Sequence, residues 1–124
     1  MNFLLVFIGG GIGCLIRYLI GLVFMRFSSS LPLATFVSNL TACIIFALTT
    51  WFISSKFLLT DSSSVLGINL KLLILTGFCG GLSTFSTFGY ETFVLLKQGM
   101  FSVALLNIVF TTSVCLVVFY FFNK

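Results

Sequence analysis

The chain has no histidine, a single proline and only two carboxylates, Asp61 and Glu91, among 124 residues. Without histidine the commonest general base and metal ligand is missing, and no triad or metal cluster can be assembled from what remains. An enzyme is therefore not expected. The four cysteines, Cys14, Cys43, Cys79 and Cys115, stand far apart in sequence with no Cys-x-x-Cys spacing. That speaks against a zinc site and against a disulfide framework; each reads as a small side chain facing lipid or a neighbouring helix. No basic segment precedes the first apolar run, so the N-terminus does not read as a cleaved signal peptide.

What is present is apolar. Sixty per cent of residues are hydrophobic and 6% are charged. A soluble domain of this length has too little interior to hide that much apolar side chain, so the chain reads as an all-α integral membrane protein embedded in the lipid bilayer. Six Lys and Arg against two acids leave a net charge of +4. In a soluble protein that excess would point to nucleic acid. Here the cations mostly flank apolar runs, which suits headgroups and gives no reason to expect a nucleic-acid partner.

Four spans fit, at about 3–27, 33–55, 70–97 and 100–122, in one domain over 1–124. Each is long enough to cross roughly 30 Å of hydrocarbon at 1.5 Å per residue. Pro32 is placed to start the second helix, Asp61-Ser62-Ser63-Ser64 forms a polar turn between the second and third, and Gln98-Gly99 makes a tight reversal before the fourth. Function must lie within the spans.

The third span is the unusual one. Gly77-Phe78-Cys79-Gly80-Gly81-Leu82-Ser83-Thr84-Phe85-Ser86-Thr87-Phe88 holds three glycines and a cluster of hydroxyls, which disfavour a continuous helix. The third helix is therefore expected to break near its centre. A break inside hydrocarbon is costly unless the freed backbone groups find protein partners, water or an ion. Phe85 and Phe88 lie one turn apart on one face.

The other spans carry scattered polar residues. Gly9, Gly13, Arg17 and Gly21 recur every four residues along span one, a smooth stripe that lets another backbone approach. A phosphate-binding loop is the weak competitor, lacking a preceding strand and a following lysine. Arg17 lies roughly 21 Å from the entry side. It either snorkels to the far interface or stands as a fixed positive charge at a water-filled pore mouth. Glu91 enters from the same side, so an Arg17–Glu91 pair is a candidate. In span two, Thr35 and Asn39 share a face with Ser38 adjacent; Asn39 either glues helices or donates to a passing anion. In span four, Asn107, Thr111 and Cys115 follow at i, i+4 and i+8. That line of about 12 Å is either scatter or a set of donors along a narrow passage.

Orientation is balanced. Lys56, Lys71 and Lys124 fall on one side, Arg26 and Lys97 on the other, with Arg17 leaning that way. The positive-inside rule therefore favours neither direction. Such a chain can insert both ways, and two opposed copies can pair about a two-fold axis in the membrane plane.

Three motifs together resemble the Fluc (CrcB) family of fluoride channels over almost the whole chain. They are Gly-Gly-Gly-Ile-Gly-x-x-x-Arg-Tyr at 9–18, Pro-x-x-Thr-x-x-x-Asn at 32–39, and Gly-x-x-Gly-Gly-x-Ser-Thr-Phe-Ser-Thr-Phe-x-x-Glu at 77–91. The last is highly specific. The resemblance implies a dual-topology antiparallel homodimer of four-helix subunits in the cell membrane. It implies two pores and one central structural sodium ion between the broken third helices, with passive export of toxic fluoride. Carried over by position, Asn39 is the pore amide, and Phe85 and Phe88 present ring edges, the electropositive part of an aromatic ring, to the ion. Gly80 and Ser83 supply backbone carbonyls to sodium; the family usually has Thr at 83, a harmless change for a main-chain ligand. Thr35, Ser38, Thr84, Asn107, Thr111 and Cys115 complete the pore donors. At 107, 111 and 115 the family pattern is more often Tyr, Ser and Ser, and Ala34 and Ala42 stand near positions often held by glycine.

Two rivals stand beside this reading. A proton-coupled exporter of organic cations needs an acid within the membrane; span one has none, and Glu91 lies near the end of span three. A non-transporting scaffold would use the polar residues only to join helices.

Overall fold

The computed structural model describes residues 2–26, 31–57 and 65–122. The connections expected at 28–30 and 61–64, and Lys124, lie outside them, as does the side chain of Lys56. Among the described residues all the regular structure is helical: α1 (Asn2–Met25), α2 (Leu33–Phe57), α3 (Val65–Leu70), a π-helical stretch (Lys71–Cys79), α4 (Gly80–Leu82), α5 (Phe85–Lys97) and α6 (Phe101–Phe122). Among the described residues, four stretches are long and apolar enough to cross a membrane: Asn2–Met25, Leu33–Ser55, Val65–Lys97 and Phe101–Phe122. The third is the longest, at 33 residues. It starts at Val65, ahead of the Leu70 expected from sequence, because the apolar run 65–68 continues the helix past Asn69 and Lys71.

Helix α1 carries Gly9, Gly10, Gly11 and Gly13 in its interior, each costing about 1 kcal/mol of helix propensity relative to alanine. Most of these glycines bring two backbones together. A Cβ at Gly9 would strike the carbonyl of Leu73 and approach the Phe78 nitrogen to 2.9 Å; one at Gly13 would strike the Phe78 carbonyl and approach the Leu82 nitrogen to 2.8 Å. From the other side, a Cβ at Gly81 would strike the Gly10 carbonyl, and one at Gly77 would come within 3.1 Å of the Gly9 Cα. The two segments run parallel, packed backbone on backbone. Small residues permit this in a membrane, where close packing must replace the hydrophobic effect between helices. Gly21, the last member of the stripe, has open space around it.

The partner of α1 is wound in wide i→i+5 turns over Lys71–Cys79, a rare geometry that concentrates at functional sites. After α4 the helix stops. Ser83 (φ −75°, ψ 154°) and Thr84 (φ −150°, ψ 111°) are extended, and α5 begins at Phe85. Thr84 caps α5, its hydroxyl accepting from the Thr87 amide at 3.3 Å, the N-cap role for which threonine is suited. Just before the interruption, Leu82 is fully buried with Ala42 and Cys79. Ile16, Ile20, Ile45, Ile74 and Phe78 pack around them. The core therefore sits where α1, α2 and the third span meet.

Helix α5 ends in a Schellman turn. The Met100 amide donates to the Leu95 carbonyl at 2.9 Å and the Gly99 amide to Leu96 at 3.0 Å. Gly99 adopts φ +76°, the left-handed conformation that the motif needs and glycine tolerates. Helix α6 then runs in the same direction as α2, with Phe110 stacked on Phe36 and Phe119 edge-on to Phe46.

Candidate functional site

An extended pair of residues inside an apolar span leaves backbone groups without helical partners. Two polar side chains from other helices meet them. Asn39 on α2 accepts from the Thr84 amide through Oδ1 at 2.7 Å, and its Nδ2 donates to the Thr84 carbonyl at 3.4 Å. Arg17 on α1 points Nη1 at the Ser83 carbonyl, 3.5 Å away. Ser83 also bonds back to the preceding turn, its amide and hydroxyl both reaching the Cys79 carbonyl, at 2.9 and 2.8 Å. The helix break is thus clamped from both sides by the two most polar residues of spans one and two.

This changes how Arg17 is read. It comes level with Ser83 because α1 and the third span run parallel, and its Nη2 contacts the Cys14 sulfur at 3.6 Å. Glu91 lies two turns further on, about 12 Å along the helix axis, and takes a different partner: Thr35 Oγ1 donates to its Oε1 at 2.8 Å. The second oxygen, Oε2, is buried without a hydrogen-bond partner. The Arg17–Glu91 pair suggested by sequence is not formed. The bond from Thr35 to Glu91, and that from Asn39 to Thr84, were not anticipated; the shared Thr35–Asn39 face was the available clue.

Arg17 and Glu91 nevertheless border the same cavity, of about 350 Å³, with Tyr18, Thr35, Ser38, Thr84 and Thr87. It shares Tyr18, Gly21, Ala34 and Glu91 with a neighbouring space of about 320 Å³ at Met25, Leu31 and Pro32. Thr35, Ser38 and Thr84 are buried, and the Thr84 hydroxyl lies 2.9 Å from that of Thr87 and 3.4 Å from that of Ser86. Hydroxyls rotate to donate or accept. The cavity therefore joins one fixed cation, one carboxylate and a band of adaptable hydroxyls.

The remaining residues singled out in the sequence lie elsewhere. Phe85 is 84% exposed and Phe88 half-buried, their ring centroids 6.0 Å apart. Gly80 and Ser83 border a smaller cavity of about 170 Å³ with Ala42, Cys43, Cys79 and Phe119. Asn107 and Thr111 are buried in a hydrogen-bonded chain: Thr111 Oγ1 donates to Asn107 Oδ1 at 3.4 Å, Asn107 Nδ2 to Thr92 Oγ1 at 3.0 Å, and Thr92 to the Phe88 carbonyl at 2.8 Å. This chain ties α6 to α5. It borders a separate, apolar groove with Phe36 and Phe110. Cys115, one turn beyond Thr111, is half-buried.

The sodium ligands implied by resemblance can be tested against this arrangement. Outside its own turn of helix, no atom lies within 4 Å of where a Gly80 Cβ would stand, and Ser83 presents its carbonyl at the interruption. Main-chain carbonyls are the oxygen donors a hard cation takes. Two such oxygens fit in kind but are few in number, and a second copy would double them.

Fold and site together define a small multi-pass membrane protein whose third span is interrupted and clamped beside a polar cavity. The chain matches, over residues 4–122, the family model described as CrcB-like protein, Camphor Resistance (CrcB), and it belongs to that family. It is 42% identical over 119 residues to a protein of Methanocaldococcus jannaschii named fluoride-specific ion channel FluC, covering 95% of this chain and 88% of the relative. It is 40% identical over 125 residues to fluoride-specific ion channel FluC 1 of Yersinia pestis, covering 98% and 93%. A Klebsiella pneumoniae protein named fluoride-specific ion channel FluC is 45% identical over 104 residues, covering 83% and 76%.

Proposed function

We propose that this chain forms a fluoride-selective channel that lets toxic fluoride leave the cell passively across the cell membrane, as an antiparallel homodimer with a structural sodium ion. The observation that carries the reading is the clamped interruption at Ser83–Thr84 next to a cavity holding Arg17 and a band of hydroxyls, in a chain whose relatives bear the name of fluoride channels.

Fluoride is small and holds its water tightly, so a selective passage must replace that shell with donors. Arg17 attracts the anion to the cavity without moving. Asn39 spends one N–H on the Thr84 carbonyl and has a second to offer. Ser38 and Thr84 supply hydroxyls, and Thr35 and Thr111 do so only by releasing Glu91 and Asn107, to which their hydroxyls donate. Phe85 and Phe88 supply ring edges, which meet an anion without introducing a positive charge that would trap it. Asn107 orders Thr111 and Thr92, and Cys115 closes the line as a weak donor. Larger anions are hindered by the narrowness that suits fluoride. The charge balance across the two faces supports dual insertion, and antiparallel pairing would place the exposed Gly80 and Phe85 against a second copy. Gly80 and Ser83 would hold the sodium by their carbonyls, adding compensation for the broken helix that Asn39 and Arg17 already provide in part.

The deciding experiment is efflux from proteoliposomes read with a fluoride electrode, with chloride as control. Fluoride should leave and chloride stay. Phe85→Ile and Phe88→Ile should each slow fluoride by about tenfold or more, the scale on which lost donors in a dry passage act, while the protein still purifies as a dimer. Normal conduction by both variants would sink the ring-edge account.

Glu91 supports one second reading. Its unpartnered Oε2 is buried inside a span, which is what proton-coupled export of an organic cation requires. Proton flux that depends on such a cation, with no fluoride efflux, would select it.

A further inference from the structure

Two hydroxyls, one amide and one carbonyl join α6 to α5, and their protons can be followed one by one. The Thr92 hydroxyl has a single proton, which goes to the Phe88 carbonyl at 2.8 Å. Its oxygen can therefore only accept from Asn107, whose Nδ2 lies 3.0 Å away, and this settles which way round the amide stands. Asn107 Oδ1 then faces Thr111 and takes the proton of that hydroxyl at 3.4 Å. The chain runs in one direction, from Thr111 through Asn107 and Thr92 to Phe88, and its three polar side chains are buried. While it is closed, neither hydroxyl has a proton left for an anion. Its far end is the turn of α5 that carries an aromatic ring. Phe88 is half-buried beside the exposed Phe85, their ring centroids 6.0 Å apart. A threonine hydroxyl that bonds back to the carbonyl four residues earlier tends to bend a helix at that turn. Asn107 fixes this bond because it holds the Thr92 oxygen from the α6 side.

We propose that Asn107 is a positioning residue for Phe88: through Thr92 it holds the turn of α5 that presents the ring, and α6 reaches the ion through that ring. The effect on fluoride rests on the channel reading; the contact itself does not. An aromatic ring attracts an anion at its edge and repels it at its face, so the angle at which Phe88 is held decides the sign of its interaction with the ion. Cutting the chain at Asn107 or at Thr92 lets the turn relax and the ring leave that angle. Both links serve one path, so cutting the second after the first adds nothing, the mark of residues in a single hydrogen-bonded network. The tether ends on the Phe88 carbonyl, one turn past Phe85, so the two rings differ in how strongly they answer to α6.

The test replaces the Phe88 ring by its para-fluoro analogue in the full-length protein in lipid and reads the ring's fluorine NMR signal with no fluoride present. Thr92→Val keeps the shape and removes the hydroxyl, Asn107→Leu removes the amide, and Thr92→Ser keeps the bond. Thr92→Val and Asn107→Leu should each shift the signal, and the double variant should shift it no further. Thr92→Ser should match the parent, and the same label at Phe85 should move less. In proteoliposomes with the natural ring, fluoride efflux should fall about fivefold in Thr92→Val and in Asn107→Leu, the scale of coupling through a packed network, with no further loss in the double variant. A Phe88 signal that stays put in Thr92→Val overturns the proposal, since Asn107 then only joins helices. So does an equal shift at Phe85, which marks general loosening, and so do efflux losses that multiply, a shifted ring with unchanged efflux, or lost efflux in Thr92→Ser. Should Asn107→Leu fail to fold, the isosteric Thr92→Val decides alone. The ring signal needs no fluoride, and efflux by the parent tests the channel reading separately, so the two failures are distinguishable.

Discussion

The two halves of the third span are held in opposite ways. From Leu73 to Leu82 it lies backbone on backbone against α1, with Gly9, Gly13, Gly77 and Gly81 at the contact. From Phe85 to Lys97 it is tied by side chains: Glu91 to Thr35 on α2, and Thr92 to Asn107 on α6. A contact made of backbone atoms has no rotamer to adjust and no room to yield. A contact made through hydroxyl and amide side chains can re-form after small shifts. The first half is therefore a fixed post, and the second half can settle around whatever occupies the cavity. The interruption at Ser83–Thr84 is where one regime gives way to the other.

The sharpest way to break this contrast is to add bulk at the post. Gly13→Val places atoms against the Phe78 carbonyl and the Leu82 nitrogen. Overpacking against backbone should cost about 3 kcal/mol or more, seen as loss of the folded protein on size exclusion and of thermal stability. A variant as stable as the parent would show that the glycine contact is incidental.

Next comes the clamp. Asn39→Ala removes both bonds to Thr84 and leaves its amide unsatisfied, at about 1–3 kcal/mol. Fluoride efflux should fall by about tenfold or more, since the same side chain also offers a donor. Full stability with lost efflux would mean that Asn39 serves only the ion. Lost stability with normal efflux per folded protein would mean that it serves only the break.

The adjustable half should respond mildly. Asn107→Leu frees Thr92 and Thr111 and should cost about 0.6–1.7 kcal/mol, the range measured for hydrogen bonds between membrane helices. A cost as large as that of Gly13→Val would erase the distinction between the halves. The smallest effect belongs to Gly11→Ala, where nothing lies within 4 Å of the new methyl. Helix propensity alone should make that variant slightly more stable, by about 0.5–1 kcal/mol, measured by thermal unfolding in detergent.

The glycine stripe of span one was legible because a four-residue period is a local property of a helix. What it would touch was not: Gly77 and Gly81 become partners of Gly9, Gly10 and Gly13 only once two spans are brought side by side. Arg17 shows the same limit. Its depth in the membrane is set by counting residues, so a polar partner was foreseeable, and Glu91 was a reasonable candidate from its similar depth. Parallel packing instead places Arg17 level with Ser83, and Glu91 falls to Thr35. In span four the i, i+4, i+8 line correctly put Asn107 and Thr111 on one face. Their hydrogen bonds run to each other and to Thr92.

By itself the sequence determined that this is a four-span helical membrane protein, because apolar length and scarcity of charge act residue by residue and need no partner. Its order also determined where a helix in hydrocarbon would be weakest, since glycine and hydroxyl residues weigh on local backbone preference. Only the tertiary structure decided what answers that weakness. A freed amide or carbonyl is satisfied by whichever side chain lies within about 3 Å, and that distance depends on helix direction, register and closeness of approach, none of which is local. Thus Asn39 reaches Thr84 and Arg17 reaches Ser83, two contacts between residues that are 45 and 66 positions apart in the chain.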